Sequence, residues 1–269
     1  MTSSHKHLSP NQKKWDYSVQ KYKSLENPFE EPSLFSILFI ACGRPQITKR
    51  CLLSSLDSVL KYTDDVEWVF IENGECDENY QLFQELDLER KVVVRQKNYG
   101  INHALNQAWA LSRGQWCLIH ENDWECRLSL DFLRIAKSVF LEKPEVGILQ
   151  LRAVNDPNEN WGYGKPDYSP WSSSDQALSK AGIKVWREQT SDGHTYFVSH
   201  FPNGFNNNPT IIAKSLYTEC GPYPEPELGT DPRHGETLYQ NKVAKTDCAV
   251  GHIGLELYFH CGQQTTSPI

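Results

Sequence analysis

The chain has no apolar run of membrane length. Its longest, Leu34–Cys42, holds nine residues with Ser36 among them, against the roughly 20 that a bilayer-spanning helix needs. The opening residues MTSSHKHLSPNQKK lack an apolar core, so no secretory leader is expected. There is no basic surplus. Lys and Arg number 27 against 34 Asp and Glu, a net charge of −7, which argues against nucleic acid as a partner. The early lysines Lys6, Lys13, Lys14, Lys21 and Lys23 read as a solvated tail, with peripheral contact to anionic lipid as the alternative. None of the eight cysteines forms a CxxC pair, and several lie inside apolar runs. That is the usage of buried free thiols in a reducing compartment, so a cytoplasmic protein is expected. GxSxG, P-loop and HExxH signatures are missing, and Gly162-Tyr163-Gly164 neither follows a strand nor continues as a dinucleotide fingerprint.

What is present suits an ordered α/β chain. It has 269 residues, 39% of them apolar and 23% charged, enough for one large core or two small ones. Residues 1–33 are polar and read as an N-terminal extension. From 34 onward strand-like and helix-like patterns alternate. SLFSILFIAC, EWVFI (67–71), KVVVR (91–95), WCLI (116–119) and VGILQLR (146–152) read as strands. Helices are expected after Arg44-Pro45, over 77–87, after Gly100 and from Leu128 to Leu141. Such alternation predicts a mostly parallel central sheet flanked by helices in a single domain, with the loops after 42, 71, 95 and 119 meeting at the strands' carboxyl ends. Between 153 and about 208 the periodicity fails. That stretch carries Trp161, Tyr163, Tyr168 and Trp171, which could stack on an acceptor or pack a loop onto the core, and His194 and His200, which read as surface residues. PTIIAKSLYTEC then resumes a strand and helix, GETLYQNKVAK reads as a helix, and CAVGHI and LELYFHC as closing strands.

The chemistry concentrates in WCLIHENDWE, residues 116–125. An apolar strand runs straight into Glu121-Asn122-Asp123. Carboxylates two residues apart at a strand end can aim at one point, and oxygen ligands there suit Mg²⁺ or Mn²⁺. A divalent ion so held could neutralise a departing diphosphate. An ordinary acidic turn is the plainer alternative.

The ordered set of Arg44-Pro45 after a strand, VFIENG (69–74) and NYGINHALNQAWALSRGQWCLIHEND (98–123) resembles the GT-A fold glycosyltransferases, in particular the family-two inverting group. The likeness covers about 34–152, more loosely 205–262. Glu121 departs from the family's first Asp, and Leu105 stands where many members carry Arg. The resemblance implies a GT-A (Rossmann-like) domain over 34–262, with a nucleotide-sugar-binding half at 34–152, an acceptor-binding half at 153–262 and a tail at 263–269. It implies that Glu72 contacts the base or ribose, that Asn98, Glu121 and Asn122 lie against the nucleotide, and that Asp123 and His260 hold Mn²⁺ or Mg²⁺. The imidazole of His260 would favour Mn²⁺ somewhat; a histidine at a strand end is the alternative.

The general base expected from the resemblance is a late carboxylate: Glu236, with Asp231 and Glu225 as alternatives. Glu236 follows Gly235 and is expected to open a helix from Thr237, where the helix dipole would lower its pKa. The activity implied is metal-dependent inverting transfer from a nucleoside-diphosphate sugar, UDP by default, to a saccharide or other hydroxyl. A non-catalytic nucleotide-sugar or glycan-binding module on the same fold is the alternative.

Overall fold

The computed structural model describes residues 34–63, 65–151, 185–199, 207, 209–225, 232–255 and 257–262. Their framework is a nine-stranded sheet in the order β3-β2-β1-β4-β9-β6-β10-β8-β7. Its first half is the parallel unit expected from the sequence: β1 (Phe35–Ala41), β2 (Val66–Asn73), β3 (Lys91–Gln96) and β4 (Trp116–Glu121). The second half is mixed. β9 (Thr210–Ala213) runs antiparallel between β4 and β6 (Val146–Gln150), and β10 (Ala249–His252) lies parallel to β6.

The central strands are apolar along their whole length because both faces are covered. Ile37, Phe39, Trp68, Phe70 and Leu118 face one core, which also takes Leu52, Leu56 and Val59 of helix α1 (Pro45–Leu60) and the apolar side of α4 (Phe132–Glu142). Leu38, Ile40, Val69, Ile71 and Ile119 face the other, against Ala104, Leu105, Ala108 and Trp109 of α3 (Ile101–Leu111) and Tyr239 and Val243 of α6 (Pro232–Val243). The strict alternation between the two cores follows from the two-residue period of a strand. Helices α2 (Asp77–Glu85) and α5 (Lys214–Cys220) complete the set of six among the described residues. None is long and apolar enough to cross a membrane.

Several boundaries differ from the sequence reading. The helix expected from Leu128 begins at Phe132, because Asp131 caps it by accepting the Arg134 amide (3.1 Å). Part of the aperiodic stretch is a hairpin, β7 (Val185–Gln189) with β8 (Thr195–Ser199), closed by a turn in which Thr190 N–H donates to the His194 carbonyl at 2.9 Å. His194 is half-buried, its Nε2 2.7 Å from the Ile253 carbonyl, and so is more enclosed than a surface residue. LELYFHC does not close the main sheet: β11 (Tyr258–His260) pairs antiparallel with a short strand β5 (Trp124–Cys126) in a separate ribbon. Trp161, Tyr163, Tyr168, Trp171, His200, Asp231 and the early lysines lie outside the described residues.

Candidate functional site

Register places the acids. Ala41 pairs with Glu72 and Ile40 with Glu121, so β1, β2 and β4 end at one level. Immediately past β1, Gly43 and Arg44 both take left-handed backbone conformations (φ 58° and 50°) before α1 begins. For arginine this conformation is uncommon. The Arg44 guanidinium Nη2 reaches Asn122 Oδ1 at 3.0 Å and Asp123 Oδ2 at 3.1 Å. Asn122 is held in turn, donating Nδ2 to Thr48 Oγ1 (2.8 Å) and to the Gly43 carbonyl (3.3 Å). Its amide is thus engaged inside the protein and acts on the crevice through Arg44.

The ribbon brings in His260. Pairing of β11 with β5 sets His260 opposite Trp124, and the Cys261 amide donates to the Asp123 carbonyl at 2.8 Å. His260 Nε2 then lies 3.3 Å from Asp123 Oδ2. Behind it, Cys261 Sγ packs 3.3 Å from Cys51 Sγ on α1, both buried. Burial alone would raise the Asp123 carboxyl, but the His260 hydrogen bond and the Arg44 charge outweigh it and hold it below the ordinary aspartate value. Burial pushes the Glu121 carboxyl well above its ordinary value, reinforced by the charges of Asp123 and Glu236 and opposed by Arg44. Glu121, Asp123 and Glu236 therefore share one electrostatic neighbourhood.

Glu236 reaches the same neighbourhood from α6. Helix α6 opens at Pro232 rather than Thr237, so Glu236 sits in the helix's second turn. The expected dipole stabilisation of a first-turn carboxylate does not apply to it, because that effect is confined to the first turn. What fixes Glu236 is packing. Its Oε1 accepts the Asn207 amide at 2.6 Å. The preceding Gly235 lies against α3, where an added Cβ would stand 1.6 Å from Asn102 Nδ2. Asn102 and Asn106, one turn apart on α3, donate to the carbonyls of Pro224 (2.9 Å) and Tyr223 (3.0 Å). Glu225 is drawn to the same helix, within 2.9 Å of Asn106 Nδ2 and 3.2 Å of His103 Nδ1. Its carboxylate serves to tie the chain to α3.

At the far end of the crevice Glu72 is buried, accepting Asn79 Nδ2 (2.8 Å) and the Cys76 amide (3.2 Å). Burial raises its pKa and these donors offset part of the rise. Asn98 ties two strand ends to the start of α3. Its Oδ1 accepts Asn73 Nδ2 (3.3 Å) and the Gly100 amide (2.9 Å), while its Nδ2 approaches Cys42 Sγ (3.5 Å).

Whether these residues suit a divalent cation can be tested on the chain itself. Asp123 Oδ1 is buried without a hydrogen-bond partner, a cost unless something else satisfies it. Gly262 lies close against the other carboxylate oxygen and the imidazole: a Cβ there would come within 2.6 Å of Asp123 Oδ2 and 3.0 Å of His260 Nε2. Among the described residues no group of three or more His, Cys, Asp or Glu side chains converges as a ready-made metal cage. An Asp–His pair fits an ion that takes its remaining oxygens from a bound ligand and water. Arg44, Thr48 and Gly262 were not singled out as site residues from sequence. The Arg44-Pro45 pair was visible, but only the left-handed backbone turns its side chain over Asp123.

Known structures share this fold. The first 349 residues of S. aureus TarS align over 83% of this chain and 59% of that one, at 16% identity and a TM-score of 0.58. The same protein in complex with UDP-GlcNAc aligns at 15% identity and 0.57, over 87% of this chain and 61% of that one. These likenesses establish the fold, and this chain spans about three fifths of the length of those structures. A mannosyltransferase from Pyrobaculum calidifontis in complex with GDP-Man and Mn²⁺ matches more distantly, at 14% identity and a TM-score of 0.48, over 85% of this chain and 59% of that one. No curated protein matches the sequence significantly. The model of "Glycosyl transferase family 2" matches residues 36–197. That match runs from the second residue of β1 to the middle of β8 and takes in Arg44, Glu72, Asn98, Glu121 and Asp123, so the chain belongs to glycosyl transferase family 2.

Proposed function

We propose that this protein is a metal-dependent, inverting glycosyltransferase that moves a sugar from a nucleoside-diphosphate donor to a hydroxyl acceptor, most simply a saccharide. The reading is supported by Glu121 and Asp123 meeting at the end of β4, His260 delivered by the β5–β11 ribbon, and Glu236 near enough to act on the charge of Glu121. Glu72 and Asn98 bracket the end of the crevice suited to a base or ribose. Asn122 holds the charged Arg44 guanidinium in the middle. Asp123 and His260 would hold the cation, Mn²⁺ or Mg²⁺, which when bound would neutralise the departing diphosphate.

The protein's own work is alignment and proton transfer. In the ionised state Glu236 would take the proton of the acceptor hydroxyl as its oxygen forms the new bond to the anomeric carbon and the bond to the diphosphate oxygen breaks. A base on the face opposite the leaving group gives inversion in one displacement. Asp231 stays an alternative base, and Glu225, spent on Asn106 and His103, a weaker one. UDP is the donor nucleotide to try first, since TarS, on this fold, is solved with UDP-GlcNAc.

The test is a panel of nucleotide sugars and saccharide acceptors with Mn²⁺, scored by mass spectrometry for released nucleotide and by NMR for the anomeric configuration of the product. Transfer with inversion is expected. Tight donor binding with no turnover across the panel would instead indicate a binding module.

A further inference from the structure

We propose that Arg44 is a resident counter-ion at Asp123, displaced by the divalent cation when it binds and thereby freed to take the donor's diphosphate. The inference rests on the metal-dependent reading above and adds to it a residue and an order of events.

Three observations support it. The guanidinium occupies a ligand's place: Nη2 is 3.1 Å from Asp123 Oδ2, the same oxygen that lies 3.3 Å from His260 Nε2 and close against Gly262. A cation bound through that oxygen would compete with Arg44 for it. The two partners are also unequally buried. The Arg44 side chain is 42% exposed and that of Asp123 only 12%, so the arginine can swing into the crevice while the carboxylate stays.

The last observation is the backbone. Successive left-handed conformations at Gly43 and Arg44 put the side chain over the strand ends instead of along α1. A guanidinium released there would carry five donors into a site meant for diphosphate, a pairing its planar fork suits better than lysine's ammonium.

The consequence is linkage. Cation and diphosphate should bind with positive coupling, because each relieves a cost the other faces: the cation loses its competitor, and the diphosphate gains a freed arginine. An ion pair with one half-exposed partner is weak, so the effect should be modest, about three- to tenfold in affinity.

The experiment uses the full chain and two probes, Mn²⁺ alone and UDP alone, measured by titration calorimetry. The proteins are the wild type, Arg44→Gln, and Arg44→Gly, whose backbone favours the left-handed conformation and guards against a folding defect. With the side chain gone, Mn²⁺ alone should bind about three- to tenfold more tightly than to the wild type. UDP alone should bind more weakly, and the gain in UDP affinity on adding Mn²⁺ should shrink. Mn²⁺ affinity that is unchanged or lower in both variants overturns the counter-ion role. If the wild type and both variants fail to bind Mn²⁺ with or without UDP, the metal-dependent reading itself falls, and this inference with it.

Discussion

Gly235→Ala is a substitution whose sign the structure reverses. In an ordinary helix interior, alanine for glycine stabilises by about 1 kcal/mol. At 235 the new Cβ would stand 1.6 Å from Asn102 Nδ2 and 3.0 Å from the Pro224 carbonyl oxygen. Something must move, and the Asn102 amide is the movable part. Displacing it breaks its 2.9 Å hydrogen bond to Pro224. That carbonyl is only half-buried, so leaving it unpaired costs about 1 kcal/mol, the low end of the range for a buried group, and crowding a packed contact costs about 1–3 kcal/mol. Set against the helical gain, the net expectation is a loss of about 1–3 kcal/mol, read as a lower urea midpoint at unchanged slope. A double-mutant cycle isolates the cause. Asn102→Ala alone loses the hydrogen bond, but in Asn102→Ala/Gly235→Ala the clash has no partner. The double variant should therefore be at least about 1 kcal/mol more stable than the sum of the single effects implies. A Gly235→Ala protein as stable as the wild type, or strictly additive effects, would refute the claim that Gly235 seats α6 on α3.

Other expectations follow from the same geometry. Glu236→Gln keeps size and removes the base, so transfer should fall about 10²- to 10⁴-fold with donor affinity near normal. If turnover survives while Asp231→Asn or Glu225→Gln abolishes it, the base is one of those. Gly262→Ala should weaken Mn²⁺ binding by about tenfold or more without lowering thermal stability much, and unchanged metal titration would remove Gly262 from the site. His120 is buried between Ser55 (Nε2 to Oγ, 2.6 Å) and the Glu121 carbonyl (Nδ1 to O, 2.8 Å). Burial lowers its pKa from 6.5 to about 4. The unfolded chain then binds the extra proton first, so stability is full above about pH 6.5 and is lost as pH falls toward 4, by up to about 3 kcal/mol. Urea midpoints of wild type and His120→Phe compared at pH 7 and pH 5 test this; equal pH slopes would exclude His120 as the cause.

The parts of the fold legible in sequence are those whose signals are local. FSILFIA and VEWVFIEN are buried on both faces and read as strands without knowledge of their neighbours. The strand ends converge as expected, because parallel pairing in register forces Glu72 and Glu121 to one level. Non-local features were hidden. β5 has three residues and exists only through pairing with β11 from the far end of the chain. Gly235 looked like the point before a helix, yet it is inside one, a glycine because Asn102 fills the space of its side chain. The β7–β8 hairpin carries only a short alternation, with Tyr196 and Val198 turned inward, in a region dominated by residues without periodicity. The partnership of Asp123 with His260 was suggested by resemblance; the ribbon supplies its physical cause. Arg44 shows the limit most sharply, since its importance lies in a backbone conformation that composition does not report.

The most direct test is nucleotide release from a nucleotide sugar with Mn²⁺, comparing wild type with Asp123→Ala, each with and without a chelator. Asp123 lies in the turn between β4 and β5 and accepts its partners from Arg44 and His260, so its removal should leave the fold intact, verified by an unchanged urea midpoint. The expected result is release by the wild type that the chelator abolishes, and none above background from Asp123→Ala. Full release by Asp123→Ala in the presence of chelator would contradict the assignment of this strand end as the cation-dependent centre.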